Sequence, residues 1–591
     1  MQTSTSPSPC EDLVGVQGLI VRRRWLVFVL AAVLFMAIGL HQGANDAPTV
    51  DEGVDISSGV AVLVRRDLRM NPEHPPLPKV LAAFPALLAK PIVPQSDAWE
   101  RGDWFDWSDD FISANHDAGR LDNILLYGRA VVLLEAVACG ALIMLFAGRW
   151  FGPLGGLFSG VMWLATPYVV GIGHFAMLDI AFTLASLGIA YLAMRWRESP
   201  STIRLVGVAV ALGLALATRH TALVLALYIV VIVAEHYRHD VRSTVRDVGL
   251  ISVVSLVVVW VIYRGLSPGG SSPAVQASFD GLVAQGGASS VLSRLVGALP
   301  LPLEWRAGFA YLEITSVPRP ASLLGRSWDG AVWWYFPLSA LMKIPFTIVA
   351  GIVVGWVLSA TRQFARRDLL RFVVGPALAL WLFLLAQPLN LGLRLALPTV
   401  AFAYIGLGAL TRLNTIKPQM ATGAIAVIVL VGVSTSILAA PHSLAWNPWP
   451  WTPGYQWVSD SNIDAGQALY EVRNWAETKD QPYVAVDTTR GMHVGGGSRS
   501  LTNVEPQTVR GWVAVGVTPL MQTRRDNSVW ASQEKSPPPG FSLGWLRKYC
   551  PVGTLGGGAI LLYHFDEAPD PSLGPQRPVA ACTGAEASYI P

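Results

Sequence analysis

Charge is what this chain lacks most. Only 14% of its 591 residues are Asp, Glu, Lys or Arg, while 52% are hydrophobic. An ordinary soluble protein carries about 25% charge. The composition excludes a water-soluble fold and puts most of the chain in lipid. A net charge of +3 supplies no electrostatic footprint for nucleic acid, and no such partner is expected. Cysteine is equally scarce, with Cys10, Cys139, Cys550 and Cys582 spread over the whole length. Cys/His spacing of the metal-binding kind is missing. Cys139 lies in an apolar run and reads as a core residue. Cys550 and Cys582 sit near the C-terminus and can form a disulfide outside the cytoplasm, two free thiols being the alternative. The chain also has no internal repeat. Its first apolar run, behind Arg22-Arg23-Arg24, has no small-residue cleavage site and is long for a signal peptide. It reads as an uncleaved span.

Residues 1–24 form a Ser/Pro-rich tail with a basic end. Apolar runs follow at 25–40, 128–147, 153–172, 178–194, 203–217, 219–235, 248–264, 333–358, 372–388, 393–410 and 420–440. The expected fold is a polytopic α-helical membrane protein of about eleven spans over 25–440. Basic residues mark the loops of one side: Arg149, then Arg195, Arg197 and Arg204, then Arg238, Arg242 and Arg246, then Arg362, Arg366 and Arg367, then Arg412 and Lys417. The positive-inside rule makes that side cytoplasmic. The N-terminus is then cytoplasmic. The long loops 43–125 and 265–332 and the region 441–591 face outward, with the plasma membrane as the expected location. Leu77–Ala89 is an amphipathic piece too short to span and is expected at the interface. Trp99, Trp104, Phe105 and Trp107 are expected to anchor at the membrane surface. Trp446 to Trp451 reads as an interfacial aromatic belt or a sugar-stacking platform. Within 441–591 a helix is predicted over Gln467–Glu477, with strands over 483–487, 511–515 and 559–563. A small extracytoplasmic α/β domain results.

A few charges break the apolar pattern, and such exceptions mark functional cavities. Asp51-Glu52 follow the first span. His74 stands between Glu73 and the stiff pair Pro75-Pro76. Asp179 precedes the fourth run, Arg219-His220 separates the fifth and sixth, Lys343 lies inside the eighth, and Arg394 opens the tenth. On the predicted topology all lie at the outer face. Each has a plainer reading: Asp179 as a helix cap, Arg219 as a snorkelling anchor, Asp51 and Glu52 as a solvated helix end. One-sided clustering favours a single outward site holding acids and bases together.

Asp51-Glu52, His74-Pro75-Pro76-Leu77, Asp179, Lys343-Ile344-Pro345 and Asn390-Leu391-Gly392-Leu393-Arg394, in that order, resemble the family 39 glycosyltransferases. These are membrane transferases of the C-type fold, and they include protein O-mannosyltransferases and lipid A aminoarabinose transferases. The likeness covers roughly 45–410, and Ser459 to Gln467 is similar to the start of the bacterial C-terminal segment. Leu395, Ala465 and Arg219-His220 depart from the family's pattern. The resemblance implies a polyprenyl-phosphate sugar as donor, mannose being the family default. The acceptor hydroxyl would belong to a protein, a glycolipid or a polysaccharide. It implies Asp51 as general base with Glu52 beside it, Lys343, Arg394 and Arg219 on the donor phosphate, and His74, Asp179, His220, Tyr335 and Asn390 positioning substrate. A lipid phosphate leaves as a stable anion, so cations rather than a general acid are needed, and a single displacement inverts the sugar carbon. Some C-type relatives use a divalent metal; none is expected here. The competing class is a transporter or flippase, which would place its site near the midplane between repeats.

Overall fold

The computed structural model describes residues 18–569 apart from 239, 362–365, 416–417, 487–491, 496, 502–503 and 523–542. Helices dominate. They include α1 (Arg24–Asn45), α2 (Val50–Arg65), α3 (Leu77–Ala86), α4 (Leu121–Leu164), α5 (Asp179–Glu198), α6 (Thr202–Leu216), α7 (Ala222–Tyr237), α8 (Val241–Leu266), α9 (Phe346–Thr361), α10 (Gly375–Ala386), α11 (Pro418–Ala439) and α12 (Leu469–Glu477), with further helices in the 43–125 and 265–332 regions. Among the described residues, six helical stretches are long and apolar enough to cross a membrane: Arg24–Asn45, Leu121–Leu164, Val241–Leu266, Arg367–Ala386, Leu393–Leu413 and Thr422–Ala439. Leu77–Ala89, α6, α7 and α9 are shorter apolar helices.

Glycine and proline shape several of the eleven predicted runs. Gly152, at φ 81° and ψ 174°, leaves the helix and Pro153 starts the next one, so α4 is two helices joined at a kink, one for each of the two predicted runs. Pro345 has no N–H and forces Ile344 into extended backbone, which cuts the eighth run into Tyr335–Lys343 and α9. The tenth run becomes a 3₁₀ turn, Leu393–Ala396, followed by a helix that begins at Leu397 with Pro398 in its first turn.

The stretch after α1 is not a solvated helix end. Thr49 caps α2: its hydroxyl accepts the Glu52 N–H at 3.3 Å, and the Glu52 carboxylate accepts the Thr49 N–H at 2.9 Å. Glu52 also accepts the Ala176 N–H at 2.7 Å and a two-pronged bond from Arg129 of α4, both prongs 2.8 Å. Arg129 gives its remaining N–H groups to the carbonyls of Gly43, Asp46 and Ala47. All five guanidinium donors are therefore used, and the end of α1, the start of α2, α4 and the 174–178 turn meet at one buried knot.

Two of the predicted surface anchors are core residues instead. Trp99 and Trp107 are buried, and the Arg65 and Arg69 guanidiniums lie 3.9 and 4.7 Å from the Trp99 ring centre. Trp104 packs on Tyr311, and Phe105 is exposed. Trp99 and Trp107 thus pack inside the 43–125 region.

Strands β1 (Pro320–Leu323) and β2 (Arg326–Asp329) form an antiparallel hairpin. β3 (Tyr483–Ala485), β4 (Arg499–Ser500), β5 (Gly511–Gly516), β6 (Gly553–Leu555) and β7 (Ile560–Phe565) form one sheet in the order β4-β3-β5-β7-β6. β3 pairs in parallel with β4 and β5; β7 pairs antiparallel with β5 and β6. Ala468 and Val472, at and within α12, pack on Val484, Ala514 and Leu562 of the sheet. The predicted α/β character of this region is thus realised, with its strands close to the expected positions. Cys139 is buried and free. Cys550 is disulfide-bonded; its expected partner Cys582 lies outside the described residues.

Removing one partner of a buried ion pair costs about 3–5 kcal/mol, because the other charge is left uncompensated. Arg129→Met should therefore lower the thermal midpoint of the detergent-solubilised protein sharply. The double change Arg129→Met, Glu52→Gln should recover part of the loss. A single variant as stable as the parent would remove the knot from its organising role.

Candidate active site

Helical geometry sets Asp51 and Asp55 one turn apart on the same face of α2, while Glu52 turns inward to Arg129. The Asp51 side chain is 44% exposed and accepts a hydrogen bond from Arg394 Nη1. Arg394 sits in the 3₁₀ turn 393–396. Gly392 starts that turn at φ 80°, where a Cβ would meet the Ser461 hydroxyl at 2.0 Å. The Gly392 N–H bonds to the Tyr335 hydroxyl at 2.9 Å and the Leu393 N–H to Asn462 Oδ1 at 2.9 Å. Asn390 Oδ1 accepts the Val332 N–H at 2.7 Å. Tyr335 and Asn390 are thus buried staples of the turn that presents Arg394.

Asp179 opens α5, yet its carboxylate does not cap the helix. It accepts Arg219 Nη1 at 2.6 Å and lies 3.9 Å from Arg394 Nη1. Four residues from four distant segments therefore form a continuous chain of charges, Asp51–Arg394–Asp179–Arg219. Two acids face two cations, and the chain is close to neutral.

Beside it lie two histidines. His220 is 4% exposed, stacked 4.4 Å from the Trp305 ring at 23°, and neither ring nitrogen has a hydrogen-bond partner. His74 has an unpartnered Nδ1 and an Nε2 4.0 Å from Glu73. Burial and the Arg219 charge push both imidazoles down, His220 to about 3, so both stay neutral near pH 7. Arg394 holds the Asp51 carboxyl below its ordinary range, with Arg219 and Arg319 adding to the effect. Burial, then the Asp51 charge, raises Glu73. One turn behind Asp51, Asp55 accepts Asn71 Nδ2 at 2.9 Å, and Lys79 Nζ donates to the Asn71 carbonyl at 2.6 Å. Burial raises the Asp55 carboxyl and lowers the Lys79 ammonium.

Lys343 does not join this group among the described contacts. Its ammonium is fully buried and donates to the carbonyls of Leu444 (2.7 Å) and Trp446 and to Asn447 Oδ1 (3.2 Å). Three N–H donors are spent on three oxygens. It anchors the 444–447 turn, and the contacts of this structure do not bring it to Arg394 or Arg219, the other cations expected on the donor phosphate. Glu52 is wholly buried against Arg129 and points away from Asp51 and its partner Arg394.

Sequence reasoning missed Asp55, Glu73, Lys79, Arg129 and Arg319. The first had a signal, its i+4 spacing from Asp51. Glu73 and Lys79 flank the Pro-clamped His74. Arg129 is a lone cation in the opening turns of an apolar run. Arg319 lies in irregular chain before β1 and gave no signal. Among the described residues, no group of three or more His, Cys, Asp or Glu could hold a metal ion.

The geometry can be set beside known proteins. Residues 125–263 match the family model described as dolichyl-phosphate-mannose-protein mannosyltransferase. The same family was indicated by motifs that lie mostly outside that segment. No curated protein matches the chain. Among solved structures, ArnT from Cupriavidus metallidurans bound to undecaprenyl phosphate aligns over 77% of this chain and 69% of its own, at 17% identity and TM-score 0.43. The Archaeoglobus fulgidus oligosaccharyltransferase aligns over 90% of this chain and 72% of its own, at 11% identity and TM-score 0.44. The S. cerevisiae protein O-mannosyltransferase complex bound to the sugar donor aligns over 41% of this chain and 33% of its own, at 19% identity and TM-score 0.31.

The depressed imidazoles make a pH prediction with a definite sign. Unfolded histidine takes up a proton near pH 6.5, while folded His220 does so only near pH 3. Between those values the unfolded state binds more protons, so stability falls as pH falls, by up to about 1.4 kcal/mol per pH unit for one group. His220→Phe keeps the ring stack and should flatten this part of the stability–pH curve. An unchanged slope between pH 6.5 and 4 would show that His220 titrates normally.

Proposed function

We propose that the protein is an inverting glycosyltransferase that moves a sugar from a polyprenyl-phosphate carrier to an acceptor hydroxyl on the extracytoplasmic face. Mannose is the sugar the family resemblance favours. The acceptor is a hydroxyl on a protein, a glycolipid or a polysaccharide. The observation that carries the reading is the charge chain Asp51–Arg394–Asp179–Arg219, in which a carboxylate near the first apolar helix meets cations from positions 219 and 394.

The donor phosphodiester carries one negative charge and leaves as a monoester carrying up to two. Arg394 and Arg219 stabilise that increase: guanidinium forks match phosphate oxygens, and the gain is largest as the bond to the sugar breaks. Asp51 is the general base. While bonded to Arg394 it is a poor one, since that cation keeps its proton affinity low. Donor phosphate competes for Arg394 and frees Asp51, whose basicity then rises. The acceptor oxygen attacks the anomeric carbon, its proton passes to Asp51, and the carbon–oxygen bond to phosphate breaks. Asp179 holds the two arginines at a fixed separation. His74 and His220, both neutral, can give and accept hydrogen bonds to sugar hydroxyls.

Asp51→Asn should reduce transfer by at least about a hundredfold, the lower range for a positioned base, with the thermal midpoint nearly unchanged. Arg394→Ala should act mainly on donor KM and kcat together. The assay is release of polyprenyl phosphate from polyprenyl-phosphate sugars by purified protein. Parent protein that moves the lipid across vesicles yet releases none would indicate a transporter or flippase instead.

A further inference from the structure

The far end of the helix bundle holds two cavities that the reaction does not use. One is a polar pocket of about 430 Å³ walled by Arg149, Trp150, Arg197, Glu198, Asp368 and Phe372. The other is a groove of about 550 Å³ whose walls include Val224, Leu227, Val231, Leu370 and Ala379. They share a wall. Arg371, in the groove, pairs with Asp368 of the pocket at 3.2 Å and with Glu235. Arg197, in the pocket, contacts His236, the next residue after Glu235.

Backbone geometry builds the groove. Leu370–Val374 is a wide π-helical turn, a feature common at functional sites. Tyr228 reaches across and donates to the Arg371 carbonyl at 3.1 Å. The Glu235–Arg371 pair neutralises the polar end of the groove, while Leu227, Val231 and Leu370 leave its mouth apolar and exposed. In a membrane that mouth faces acyl chains. The pocket differs. Glu198 is shared by Arg149 and Arg195 at 2.8 and 3.0 Å, and the described partner of Arg197 is a histidine ring nitrogen. The two acids of the pocket are already engaged, Glu198 by Arg149 and Arg195 and Asp368 by Arg371, so Arg197 is the cation in excess and Arg149 and Arg197 keep donors to spare.

The position fixes the kind of occupant. α5 begins at Asp179 in the charge chain and ends at Glu198 in the pocket. Its twenty residues span about 30 Å at about 1.5 Å each, the thickness of a bilayer core. The pocket therefore lies at headgroup level on the opposite face, and the groove lies alongside it at acyl-chain depth. Basic pockets between membrane helices favour anionic headgroups.

We infer that this end of the bundle is a binding site for an anionic membrane phospholipid, with its phosphate headgroup between Arg149 and Arg197 and an acyl chain in the groove against Leu227 and Leu370. The lipid would tie α5 and α7 to the 366–386 segment. The inference needs only that the chain spans a membrane and stands or falls apart from the proposed reaction.

The test is native mass spectrometry and thermal melting of the full chain in neutral detergent, with phosphatidylglycerol or phosphatidylcholine added. Phosphatidylglycerol should be retained and raise the melting temperature by several degrees, with phosphatidylcholine doing much less. Arg149→Ala with Arg197→Ala should abolish the difference between the lipids. Leu227→Trp, at an exposed position that fills the groove, should abolish retention even if the arginine variant fails to fold. Equal effects of both lipids, or an undiminished phosphatidylglycerol effect in Leu227→Trp, would overturn the assignment. So would displacement of phosphatidylglycerol by equimolar polyprenyl phosphate, which would make this a site for the carrier.

Discussion

Arg129 spends five hydrogen-bond donors on one buried knot, and the position of Asp51 depends on it. Desolvating a guanidinium and a carboxylate is expensive, and only near-complete hydrogen bonding offsets the cost. Glu52 supplies both oxygens to Arg129 while also accepting the Thr49 and Ala176 amides. The first turn of α2 cannot then slide or rotate without breaking several charge-assisted bonds at once. Residue 51, one position earlier and about 100° around the helix, is held toward the opening where Arg394 waits. A rigidly held acid beside Arg394 is built here from its neighbour's burial.

The charge chain adds a second constraint. With two acids and two arginines, the group is near neutral before substrate arrives, and Asp51 is locked to Arg394. An arriving phosphate brings a third anion that the two arginines must share. The weakest holder yields, and the most exposed member is Asp51; Asp179 is buried and contacts both cations. On the proposed function, donor binding and activation of the base are one event, which restrains the base from acting while no donor is present. The neutral histidines alongside avoid adding positive charge that would hold Asp51 more tightly.

Much of this was legible in the sequence. Asp51, Asp179, Arg219 and Arg394 stood out because charge is costly beside apolar helices, and they do converge. Lys343 stood out for the same reason and does not converge. It ends a helix cut by Pro345, and a cation beside unpaired carbonyls is also explained by capping. Sequence alone does not separate a lysine that caps a turn from one that waits for a phosphate. Asn390 travelled with Arg394 in one motif because it shapes that turn, while Tyr335 staples the same turn from the Lys343 stretch. Adjacent acids misled in another way: Asp51 and Glu52 are neighbours in sequence, but a helix points them in different directions. The Thr49–Glu52 capping box was the available clue that a new helix starts there. Gly152-Pro153 was the available sign that one helix stops and another starts between two predicted runs.

The most direct test is a structure of the protein with an unhydrolysable polyprenyl-phosphate sugar bound. The account predicts the phosphate within hydrogen-bond distance of Arg394 and Arg219, the Asp51 carboxylate released from Arg394 and turned toward the anomeric carbon, and Lys343 still bound to the 444–447 turn. A phosphate seated on Lys343, or bound with the Asp51–Arg394 pair intact, would contradict it.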